Sequence, residues 1–118
     1  MNILVTGSSG WLGQTLVPRL VRDGHKVVGL DPEPGATTSV VSSVVDRALV
    51  HRVIRDEGIT AIVHAAARHK PHIETHDNAE FVAINVQGTL NLLEEAVAPG
   101  SQVDRLVFTS TTSLMISQ

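Results

Sequence analysis

The sequence predicts an α/β fold, a parallel sheet wound with helices on both faces in the strand order 3-2-1-4-5, and three observations carry that expectation. Short apolar runs rich in Val, Ile and Leu alternate along the chain with segments whose apolar residues recur at helical spacing. A glycine-rich turn stands between the first such run and the first helical segment. The composition is aliphatic, 42% hydrophobic with Trp11, Phe81 and Phe108 as the aromatic residues, which suits strands buried under Ala/Leu helices.

The elements follow in order. Asn2 to Thr6 is an apolar run that reads as the first strand. After the turn, Leu12, Leu16, Val17 and Leu20 give the first helix its apolar stripe as far as Gly24. Val27 to Asp31 is the second strand, closed by the breakers Pro32-Glu33-Pro34-Gly35. Ser39 to Val45 reads as the third strand, and Asp46 as the N-cap of a helix carrying Leu49, Val50, Val53 and Ile54 to Gly58. Ile59 to His64 makes the fourth strand. A polar loop from Ala65 to Asp77 leads to a long helix from about Asn78, with Phe81, Ile84, Gly88, Leu92, Leu93 and Ala96 on its apolar side and Pro99-Gly100 at its end. Val103 to Thr109 is the fifth strand. Right-handed crossovers between such units give a parallel sheet.

Residues 1–118 are one domain by length. A formal charge of −3 with no basic block argues against nucleic acid as a partner, and the apolar runs are too short to span a bilayer. Without cysteine there is neither a disulfide frame nor a thiolate metal site. The chain starts directly on a strand, without the pattern of a signal peptide, and reads as cytoplasmic.

The strongest local signal is Thr6-Gly7-Ser8-Ser9-Gly10-Trp11-Leu12-Gly13. Glycines at this spacing also occur as loop punctuation, but here a strand precedes them and a helix follows. A helix N-terminus offers unpaired N–H groups and a partial positive charge, so the arrangement suits a pyrophosphate. Gly7 would permit the tight turn, Gly10 the close approach and Gly13 the packing of helix on strand. Ser9, Trp11 and Leu12 complete the candidate cradle. Asp31, at the end of the second strand, stands where a carboxylate would accept the adenosine ribose hydroxyls and oppose a 2′-phosphate. The residues therefore favour a Rossmann-type site for NAD over NADP; the plainer reading of Asp31 is a solvated turn residue.

Taken together, these residues resemble the extended short-chain dehydrogenase/reductase superfamily, and in particular its NAD-dependent epimerase/dehydratase family acting on nucleotide sugars. The glycines are spaced Gly-x-x-Gly-x-x-Gly as in that superfamily. Ile62-Val63-His64-Ala65-Ala66-Ala67 resembles its fourth strand and the small-residue turn against which the cofactor lies. Asn85-Val86-Gln87-Gly88-Thr89-Leu90-Asn91-Leu92-Leu93 resembles its central helix, in which Asn85 would help to order the active region. Val107-Phe108-Thr109-Ser110-Thr111-Thr112-Ser113 resembles the fifth strand and the catalytic segment.

The resemblance implies a catalytic hydroxyl at Thr111, with Ser110 as the alternative register, and hydride exchange between NAD and a substrate hydroxyl or carbonyl. Taken alone, Thr111 is equally a strand-end hydroxyl capping a turn. Where the family carries an Asp for the adenine, this chain has Ser43, with Val44 next. Leu114-Met115-Ile116 replaces the usual Val-Tyr-Gly, and the chain has no tyrosine, so the Tyr/Lys proton-transfer pair is missing.

His69, His72 and His76 fit no common metal-ligand spacing, so no metal is expected. With Arg68 and Lys70 they either line the cofactor cleft or form a solvated loop. The apolar ending at Leu114 to Gln118 reads as a cut chain, with the sixth strand and substrate domain absent. The implied protein is the NAD-binding part of an epimerase or dehydratase whose partner is a small molecule, a nucleotide sugar. A non-catalytic NAD-sensing module is the alternative, an interaction protein that has lost the cofactor is a third reading, and a homodimer stays open.

Overall fold

The computed structural model describes residues 1–65 and 83–109. Their strands are β1 (Asn2–Thr6), β2 (Lys26–Asp31), β3 (Val40–Val41), β4 (Ala61–His64) and β5 (Arg105–Phe108). All pair in parallel, in the order β3-β2-β1-β4-β5. The α-helices are α1 (Trp11–Arg22), α2 (Arg47–Asp56) and α3 (Thr89–Val97), the last entered through a wide, π-type helical turn over Ala83–Gly88. This is the Rossmann-type sheet that the alternation of strands and helices implies.

Alternation along β1 divides the core between the two faces of the sheet. Ile3 and Val5 pack with Val17 of α1 and Ala61 on one side. Leu4 joins Val28, Leu30, Ile62, the α2 residues Val50, Val53 and Ile54, and Leu92 of α3 on the other. The largest side chains of that second cluster are almost wholly withdrawn from water, which supplies the hydrophobic driving force for docking α2 and α3. Asp46 caps α2 as its position suggested, its carboxylate accepting the Leu49 amide at 3.2 Å.

Three strands are shorter than the sequence suggests. Beyond Val40–Val41, the expected third strand makes a last ladder bond, from the Ser42 amide to the Asp31 carbonyl, and then gives way to a turn closed by the Asp46 amide on the Ser43 carbonyl. The fourth strand starts two residues late, at Ala61, and the fifth runs from Arg105 to Phe108, without Val103, Asp104 and Thr109. Just ahead of these strands the Thr60 amide donates to the Asn2 carbonyl and the Asp104 amide to the Thr60 carbonyl.

α3 also differs from its expected face. Leu93 is exposed, whereas the polar Asn91 and Glu95 flank Leu92 on the buried side. The polar pair turns inward because it has partners there. Asn91 donates through Nδ2 to the Val44 carbonyl at 2.9 Å, and Glu95 binds Arg47 Nε at 3.1 Å and His51 Nδ1 at 2.6 Å across from α2. Burial alone would raise the Glu95 carboxyl, but hydrogen bonds and charge from His51 and Arg47 together hold it below its ordinary value. Among the described residues no helix is long and apolar enough to cross a membrane.

Candidate functional site

The site is assembled at the carboxyl ends of β1, β2 and β4, where open α/β sheets leave a crevice. β1 leads into Gly7, whose φ of 71° is a left-handed conformation that turns the chain sharply. The Gly10 amide returns to the Gly7 carbonyl at 3.0 Å, and α1 starts at Trp11. Packing of α1 on this turn is intolerant of any side chain at Gly13: an added Cβ would lie 2.4 Å from the Gly7 carbonyl oxygen and 2.5 Å from Ser8 Cα. Gly10 is looser, since a Cβ there would stand 3.2 Å from the same oxygen.

Among the described residues no side chain caps α1, and its first turn holds no acidic residue. The first amides of a helix have no partner within it, so they face the crevice with the positive end of the helix dipole. A bare glycine cradle at such an end fits a pyrophosphate, which needs close backbone approach and no competing anion.

Asp31 is buried beside this cradle. Its Oδ2 accepts the Ser9 amide at 3.1 Å and its Oδ1 accepts the Glu33 amide at 2.8 Å. The carboxylate is therefore fixed against the glycine turn, and each oxygen keeps further lone pairs for a ligand hydroxyl. The chain after Asp31 folds back over the turn. Ser9 Oγ donates to the Glu33 carbonyl at 2.6 Å, Thr37 Oγ1 donates to the Ser8 carbonyl at 2.7 Å, and Thr38 Oγ1 contacts both Ser8 Oγ and Ser9 Oγ. In the sequence this strap shows only as the breakers Pro32 to Gly35. The hydroxyl residues on both sides, Ser8-Ser9 and Thr37-Thr38-Ser39, were the available signal.

Ser43 and Val44 lie between β3 and α2. Ser43 Oγ accepts the Val45 amide at 3.2 Å, and both carbonyls that follow, at Val44 and Val45, are held by Asn91 Nδ2. Ala65 follows β4, with its amide on Thr6 Oγ1 at 3.1 Å. Asn85 lies in the wide turn before α3, and its carbonyl accepts Thr89 Oγ1 at 3.0 Å.

His64, which the sequence shows only as part of the Ile62 to Ala67 motif, joins these last groups. Its Nδ1 is 2.6 Å from Thr6 Oγ1 and its Nε2 is 2.8 Å from Thr89 Oγ1. Burial pushes the imidazole down to about 4. Ala66, Ala67, Ser110 and Thr111, together with Arg68, His69, Lys70, His72 and His76, lie outside the described residues.

The geometry has counterparts in known proteins. The model of the NAD dependent epimerase/dehydratase family matches residues 3–115. A UDP-glucose 4-epimerase of Mycolicibacterium smegmatis is 35% identical over 94% of this chain and 39% of its own length. Among solved structures, the UDP-glucose 4-epimerase of Thermotoga maritima with UDP-glucose superposes with a TM-score of 0.82 at 28% identity, covering 94% of this chain and 38% of that one. The Bordetella bronchiseptica enzyme WbmG in complex with NAD gives 0.76 at 35% identity, covering 92% and 36%. The chain thus spans less than two-fifths of the length of each of these relatives. With a family match that runs over nearly all of its residues, the chain belongs to the NAD dependent epimerase/dehydratase family.

Proposed function

We propose that residues 1–118 are the NAD-binding domain of a nucleotide-sugar epimerase/dehydratase-type oxidoreductase. The observation that carries the reading is the buried Asp31 carboxylate fixed on the Ser9 amide, beside an uncapped helix N-terminus lined by Gly7, Gly10 and Gly13. In this reading the amides of Trp11, Leu12 and Gly13 hold the pyrophosphate, and Asp31 holds the adenosine ribose. Ser43 and the backbone of Val44, whose side chain is packed in the core, would face the adenine, and the cofactor would lie against the small residues Ala65, Ala66 and Ala67. NAD, when bound, supplies the hydride acceptor. The chain's own part is to orient it, with Asn85 ordering the active region and Thr111 meeting the substrate oxygen.

The relatives with UDP-glucose or NAD support this choice of ligands. Because the chain covers a minor part of each relative and holds no tyrosine, the proposal assigns the proton-transfer pair and the sugar site to residues beyond these 118. A cytoplasmic location belongs to the same reading. So does a homodimer, supported by Val86, Leu90, Leu93 and Val97, which are exposed in succession along α3 and the turn before it. Sedimentation of a Leu93→Glu variant, expected to be monomeric, tests that part.

The missing tyrosine favours a second reading, a non-catalytic NAD-binding module. Turnover of UDP-glucose by the full natural chain separates the two. The first reading expects turnover that depends on Thr111, and the second expects NAD binding alone. Absence of NAD binding would contradict both.

A further inference from the structure

The polar cluster under the strand ends contains one group that the binding scheme does not use. His64 is 2% exposed, and three parts of the site meet on it. Thr6, on its Nδ1 side, is the last residue of β1 before the glycine turn. Thr89, on its Nε2 side, is the first residue of α3 and holds the Asn85 carbonyl. Just past β5, the Thr109 amide and Thr109 Oγ1 both donate to the His64 carbonyl, at 3.2 and 3.1 Å, and the Phe108 ring at the end of β5 packs against the imidazole with centroids 5.6 Å apart.

The hydrogens in this cluster can be assigned by counting. A threonine hydroxyl has one hydrogen. That of Thr89 is donated to the Asn85 carbonyl, so toward His64 the Thr89 oxygen can only accept, and the hydrogen between them sits on Nε2. A buried imidazole pushed down to about 4 carries no second proton at neutral pH, so Nδ1 is bare and accepts from the Thr6 hydroxyl. Thr6 Oγ1 in turn accepts the Ala65 amide. The donors then run in one direction, from the Ala65 amide through Thr6, His64 and Thr89 to the Asn85 carbonyl.

We propose that His64 is a positioning residue whose Nε2–H imidazole, acting through Thr89, fixes the wide turn carrying Asn85 relative to the strand end where the glycine turn begins. Wide helical turns are uncommon and concentrate at functional sites, and they persist where their surroundings hold them. Here the hold is specific. Without the Nε2–H donor, the Thr89 oxygen loses a buried partner, and its hydroxyl is no longer directed at Asn85 alone. The inference rests on the reading that Asn85 orders the active region.

The test uses the full natural chain with NAD and UDP-glucose as the probes. Nitrogen-15 spectra of the His64 ring should show the Nε2–H tautomer, unchanged from pH 8 to pH 5. His64→Leu should speed amide exchange at residues 85–89 while β1 and β2 stay protected. It should lower kcat about tenfold, leaving the NAD dissociation constant within about twofold of wild type, as loss of positioning does. His64→Gln, which restores an N–H donor, should recover most of kcat.

An Nδ1–H tautomer would overturn the proposal. So would a His64→Leu enzyme with unchanged kcat, or one whose exchange rises uniformly through the sheet. If the full chain does not turn over UDP-glucose, the functional reading fails for that substrate, while the tautomer and the exchange pattern at 85–89 still decide the role of His64.

Discussion

The Ser9 amide donates to Asp31 Oδ2 at 3.1 Å, which makes the acid at the end of β2 a structural part of the glycine turn at the end of β1. Its other oxygen holds the Glu33 amide, so the same carboxylate also starts the strap that returns over Ser8 and Ser9.

Asp31→Ser should consequently have two effects. Loss of two charge-assisted hydrogen bonds should lower stability by roughly 1.5–3 kcal/mol, read from urea unfolding. Removal of the negative charge should narrow the preference for NAD, and an added nearby arginine should turn it toward NADP. Calorimetric titration of both dinucleotides checks this; a wild-type protein that prefers NADP would rule out the assigned role of Asp31.

Gly13→Ala should destabilise the fold, because its Cβ would meet backbone atoms that cannot move aside without shifting α1. A cost of about 2–3 kcal/mol is expected in denaturant unfolding. Gly24→Ala is the contrast. Gly24 has open space around a Cβ but a φ of +93°, so the cost there is backbone strain of roughly 1–2 kcal/mol. Equal effects at both positions would mean that the α1 contact is not the constraint.

Acid should destabilise the protein through His64. Its folded value of about 4 lies below the ordinary histidine value of 6.5, so between those pH values the unfolded chain binds the extra proton and the folded one does not. The stability present above pH 6.5 is therefore lost as pH falls toward 4, by about 2 kcal/mol at pH 5. Glu95, whose carboxyl is held below its ordinary value, adds a loss at lower pH still, as its own folded value is crossed. Urea midpoints at pH 7.5 and pH 5 should converge for His64→Gln relative to wild type; parallel declines would remove His64 as the cause.

The parts legible in the sequence are those that local chemistry determines. β1, the turn and α1 follow from an apolar run, glycines and helical spacing within Asn2 to Gly24, and Asp46 announces α2 as its cap. Contacts between distant polar residues were not legible. The hydroxyl run Thr37-Thr38-Ser39 signals polar contacts but does not pair Thr38 with Ser8 and Ser9, and nothing around Asn91 says that it holds the carbonyls of Val44 and Val45. Those pairings also account for the misjudged face of α3, where helical spacing favours Leu93 but buried hydrogen-bond partners draw in Asn91 and Glu95.

The 118 residues alone should bind NAD without turning over UDP-glucose. An unassisted threonine hydroxyl at Thr111 is too weak an acid near pH 7 for proton transfer, and no tyrosine is present to take that role. In the full natural chain, Thr111→Val should lower kcat more than it weakens NAD binding. Turnover by residues 1–118 alone would refute the missing-pair argument, and an unimpaired Thr111→Val enzyme would move the hydroxyl to Ser110.

In the proposed function NAD lies with its pyrophosphate on the turn at the start of α1. Gly10 offers the cleanest test, because a Cβ there stands 3.2 Å from the Gly7 carbonyl and is far better tolerated by the fold than one at Gly13. Calorimetric titration of NAD into the wild type and a folded Gly10→Val variant, with matched far-ultraviolet spectra, should show binding in the first and its loss in the second. Equal NAD affinity in the two folded proteins would mean that the pyrophosphate does not lie on this turn.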